Sequence, residues 1–116
     1  MKRNKIFKFI SYSVLIVYIS IMFYYAIVPF NVPVTFAFDS KRLLYHFAEH
    51  FIFGILLLNA TRDTSRSLKF GLVYSILVEL IQLIAPTRVF DFYDLGANIL
   101  GLLLGMFTFS KVRARF

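Results

Sequence analysis

The chain contains no cysteine, which excludes disulfides, thiolate metal sites and thiol nucleophiles and leaves the redox compartment open. Charge is scarce too: 16% of the 116 residues are charged, against about 25% in an average globular protein. Acidic residues are the scarcer sign, six against 13 basic, for a formal net charge of +7. That excess does not point to nucleic acid. The basic residues sit in short clusters beside apolar runs, and no recognition motif or basic domain accompanies them. No internal repeat, low-complexity segment, Gly-rich phosphate loop or G-x-S-x-G elbow occurs. What is abundant is apolar surface, with 59% hydrophobic residues and a mean hydropathy of +0.75. A soluble domain this small has no core large enough to hide it. The expected partner is therefore the lipid bilayer, and the expected fold is an all-α membrane protein, one domain on length alone.

A spanning helix needs about 20 mostly apolar residues. Four such stretches can be read, at about 6–28, 43–60, 68–85 and 92–110. Pro29 and Pro33 end the first, and short polar linkers separate the others. The start, Met1-Lys-Arg-Asn-Lys5, resembles a secretory signal. However, no charged residue occurs from Phe9 to Phe38 and no A-x-A site follows, so a retained helix is expected. Lys and Arg divide unevenly between the two sides. Ten flank the first span, fill the second linker or lie in the C-terminal tail, against Lys41, Arg42 and Arg88 opposite. The positive-inside rule then places both termini in the cytoplasm. Tyr24, Tyr25, Tyr45 and Tyr93, near the span ends, read as interfacial anchors.

The polar residues inside these spans are not scattered. The second carries His46, Glu49 and His50, the third Glu79 and Gln82, and the fourth Asp91, Asp94 and Asn98, with Arg88 in the linker before it. His46 and Glu49 lie roughly 5 and 9 Å from the external end of their span, at about 1.5 Å per residue. The others fall at comparable depth. Spacing agrees: His46, then Glu49 or His50, then Phe53 share one helix face. Asp91, Asp94, Asn98, Gly101 and Gly105 form a stripe along the fourth span. Gly101 and Gly105, like Gly54 on the second span, are read as packing positions where a neighbouring backbone approaches closely.

Two readings compete for this cluster. In one, Arg88 pairs with Asp91, Asp94 or Glu79, and Asn98 and Gln82 bond across helices, as structural glue. Interhelical hydrogen bonds in membranes average only about 0.6 kcal/mol, which makes so much polarity a weak source of stability. In the other, His46, Glu49, Glu79, Gln82, Arg88, Asp91, Asp94 and Asn98 form a water-accessible functional site on the external side. A narrower enzymatic reading also exists. His46-Phe-Ala-Glu49-His50 matches H-x-x-E-H, in which two histidines one turn apart bind zinc, with Glu49 as base and Glu79 as third ligand. No protease fold or substrate cleft accompanies it, and Ser11, Ser13 and Ser20 are not near the cluster.

These residues resemble the VanZ-like family of small polytopic membrane proteins. The likeness rests on HFAEHFIFG, from His46 to Gly54, and on the longer block of Glu79, Gln82, Arg88, Asp91, Asp94, Asn98, Gly101 and Gly105. It implies a link to resistance to teicoplanin, a glycopeptide acting on cell-wall precursors outside the membrane, and carries no agreed reaction. His50 is outside the family pattern, which makes the zinc signature a coincidence of spacing; no metal and no cofactor is expected. The expected function is a non-enzymatic envelope protein whose outward pocket binds a cell-wall precursor or lipid-linked ligand. Arg88 would meet an anionic group there. The alternatives are an intramembrane metal or acid–base enzyme on a lipid-linked substrate, and a small helical subunit of a membrane complex. The sequence does not fix the oligomeric state.

Overall fold

A computed structural model describes residues 4–27, 40–82 and 92–115, and every described element is a helix. These are α1 (Lys5–Ile27), α2 (Ser40–Thr61), α3 (Thr64–Gln82) and α4 (Phe92–Arg115). Three contain stretches long and apolar enough to cross a membrane: Lys5–Tyr25, Leu43–Thr61 and Phe92–Arg113. α3 is not among them; it carries Arg66, Lys69 and Glu79. The apolar run expected for it continues past Gln82, outside the described residues. α2 and α3 begin before the apolar stretches read from sequence, and α4 continues beyond its own. Backbone hydrogen bonding carries a helix through polar residues until a cap stops it.

The caps are local chemistry. Asn4 Oδ1 accepts from the Ile6 amide at 2.6 Å, starting α1. Within α1, Ser11, Ser13 and Ser20 donate their hydroxyls to carbonyls one turn back, at 2.8–2.9 Å, so none presents a bare polar group to lipid. α2 ends where Arg62 takes a left-handed conformation, φ 56°, and its amide returns to the Leu58 carbonyl at 2.9 Å. Asp63 then caps α3 by accepting the Arg66 amide at 3.2 Å. Two residues therefore reverse the chain.

α2 is the central helix, packed against all three others, and its interface with α4 is by far the most extensive. The two run parallel, and glycine sets their separation. A Cβ on Gly54 would strike the Leu102 carbonyl oxygen, one on Gly101 the Phe47 carbonyl, and one on Gly105 the Phe51 carbonyl. Backbone lies against backbone on both sides of this seam, which a helix pair achieves only with hydrogen at those positions. α3 joins through Gly71, which faces the Leu102 side chain. Phe53, Leu57, Ala60 and Leu102 form the buried centre. α1 is attached more loosely, with Leu15 and Met22 buried but most of its large apolar side chains exposed, as suits a lipid-facing helix.

Candidate functional site

Each of α2, α3 and α4 carries two buried polar side chains four residues apart, which places them on one face of their helix. They are His46 and His50 on α2, Ser75 and Glu79 on α3, and Asp94 and Asn98 on α4. The outermost contact joins α2 to α4: His46 Nε2 lies 3.7 Å from Asp94 Oδ2, both side chains about nine-tenths buried. Asn98 Nδ2 donates to Glu79 Oε1 at 3.1 Å, tying α4 to α3 in a region closed to solvent. His50 sets its Nδ1 3.3 Å from the His46 carbonyl and its ring edge-on to Phe53.

The register of the three helices follows from Leu102. Gly54 abuts its carbonyl and Gly71 its side chain, so all three helices meet at that level. One turn from these contacts, towards the end where α2 and α4 begin, lie His50 before Gly54, Asn98 before Leu102 and Ser75 after Gly71. Three polar residues thus stand at one level above an apolar floor. His46 and Asp94 stand a further turn out.

Satisfaction of these groups is incomplete. Among the described residues, His50 Nε2, Ser75 Oγ and Asn98 Oδ1 are buried and have no hydrogen-bond partner. Buried polar atoms are nearly always paired, and an unpaired one costs roughly 1–3 kcal/mol. Three of them on three helices at one level are unusual for a network that serves only to hold helices together.

The residues singled out from sequence divide as follows. His46 meets Asp94, and Glu79 meets Asn98. Glu49 is half-buried on the neighbouring face of α2, coupled electrostatically to Tyr18 and Tyr74, and its carbonyl accepts the Tyr18 hydroxyl at 2.6 Å. Of the two choices on that helix face, His50 is the one that faces the interior. Arg88, Asp91 and the side chain of Gln82 lie outside the described residues. Among the described residues no three His, Asp or Glu side chains are grouped to hold a metal ion. Ser75 has no mark in the sequence beyond standing one turn from Glu79. The repeated four-residue spacing on all three helices is the signal that would have found it.

The chain matches the VanZ/LLP1 family over residues 6–113. It belongs to that family. The match takes in all four helices, so the VanZ/LLP1 fold here includes the loosely attached α1 as well as the α2–α4 seam. With three helices able to cross a bilayer, this VanZ/LLP1 chain is a membrane protein. No curated protein and no solved structure matches it.

Proposed function

We propose that this VanZ/LLP1 protein binds the polar part of a cell-envelope or lipid-linked component in a pocket open to the external face, without catalysing a reaction. The observation that supports this is the set of three buried, unpartnered polar atoms, His50 Nε2, Ser75 Oγ and Asn98 Oδ1, beneath the His46–Asp94 pair. Structural glue leaves no such capacity, whereas a site waiting for a ligand does. Arg88 and Asp91, just before α4, are the sequence neighbours of this pocket, and Arg88 is the cation that would meet an anionic group of the ligand. The VanZ resemblance makes teicoplanin susceptibility the phenotype to follow.

The orientation rests on the distribution of Lys and Arg. α3 completes it as the fourth crossing, leaving both termini in the cytoplasm. Because the chain has no cysteine, one introduced at Tyr93 reports on one side and one at Lys111 on the other. A membrane-impermeant maleimide applied to intact cells should label Tyr93→Cys and spare Lys111→Cys. The function itself is tested by Arg88→Ala and Glu79→Ala. Both should change drug susceptibility or envelope integrity at unchanged protein level; wild-type behaviour of both would remove the site.

A further inference from the structure

We infer that the polar cluster of His50, Ser75, Glu79 and Asn98 receives a primary ammonium group. This rests on the pocket proposed above and names the chemistry it would select. Hydrogen-bond direction carries the argument. The His46 carbonyl can only accept, so the His50 nitrogen facing it at 3.3 Å, Nδ1, carries the hydrogen. Neutral His50 then presents a bare lone pair at Nε2. Glu79 Oε1 accepts from Asn98 Nδ2 at 3.1 Å, which leaves the amide oxygen of Asn98 as its free end.

The unpartnered atoms are therefore an imidazole lone pair, an amide oxygen and the Ser75 hydroxyl oxygen, with a fully buried carboxyl group in the same layer. Every one of them accepts. Among the unpartnered atoms of this cluster, a phosphate or carboxylate oxygen would find only the Ser75 hydroxyl to donate to it. A primary ammonium has three donors and no acceptor, which matches three acceptors in number. Leu102, which Gly54 and Gly71 both approach, closes the apolar side of the cluster, and His46 and Asp94 stand on the other. A lipid headgroup or a small soluble amine would each supply this chemistry.

The donor count makes the inference testable. The full-length chain, purified in detergent, is titrated by native mass spectrometry with phosphatidylethanolamine and its mono-, di- and trimethylated forms, which carry three, two, one and no N–H donors. Affinity should fall at each methylation, by about tenfold or more across the series. Ser75→Ala, which removes one acceptor and breaks no existing bond, should make the unmethylated and monomethylated lipids bind equally. Free ethanolamine as competitor separates the sources. If the lipids show no preference but ethanolamine raises the thermal midpoint of the wild type more than that of Ser75→Ala, the source is a soluble amine. Equal binding of all four lipids with no effect of ethanolamine overturns the ammonium site while leaving a less selective envelope ligand standing. No binding of any lipid or amine likewise overturns the ammonium site, and wild-type behaviour of Arg88→Ala and Glu79→Ala is what overturns the pocket itself.

Discussion

The two ends of the helical bundle treat polar residues in opposite ways. Around the α2–α3 turn, the Thr61 and Ser67 hydroxyls share a hydrogen bond at 2.5 Å, and Ser67 also reaches the Leu57 carbonyl at 3.5 Å. Asn59 donates to Ser11 at 3.3 Å and takes two bonds from Arg62, whose guanidinium also lies over the Phe109 ring. These groups close on one another. At the other end, His50, Ser75 and Asn98 are buried as deeply as Ser67 but end in atoms unpartnered among the described residues. Burial and polarity alone do not separate scaffold from site; the balance of donors against acceptors does.

The seam that holds both ends gives the largest expected effect. Gly105→Leu would drive a side chain into the backbone of Phe51, which cannot swing aside. It should cost about 3 kcal/mol, read as a large drop in thermal midpoint and in accumulated protein. A tolerated leucine would mean that α2 and α4 are not locked at this distance, and the comparison of their two ends would lose its frame. Next is Asn98→Leu, which breaks the buried hydrogen bond to Glu79 Oε1 and should destabilise by about 1–3 kcal/mol. The smallest and sharpest is a pair of identical substitutions. Ser67→Ala breaks a made hydrogen bond and should cost about 1 kcal/mol, while Ser75→Ala removes an unpartnered hydroxyl and should stay within about 0.5 kcal/mol of wild type. Equal losses at the two serines, measured by thermal unfolding in the same detergent, would erase the distinction between the ends.

The sequence carried the helices further than the site. Hydropathy and the glycine positions indicate four helices with a close approach along Gly54, Gly101 and Gly105, because both depend on properties local to each residue. The register that brings Asn98 to Glu79 depends on which side of α3 meets Leu102, and no single helix encodes that. Glu49 and His50 are adjacent and both fit the polar face by spacing. The α2–α4 seam decides between them, because a helix turned far enough to put Glu49 in the place of His50 would carry Gly54 away from Leu102. Ser75 was illegible for a simpler reason: serines also occur on α1, where each bonds to its own helix. The chemical difference shows only once the partners can be counted.

The order of the chain has a consequence for its birth. α2 and α4 share the closest interface, yet α3 is made between them. Until α4 has entered the bilayer, Gly54 faces no carbonyl, His46 has no Asp94 and Glu79 has no Asn98. A ribosome paused within the third helix thus leaves an open furrow that lipid, or a helper protein in the membrane, has to fill. Nothing in the earlier chain can rehearse the polar cluster, and it comes into being only when α4 joins.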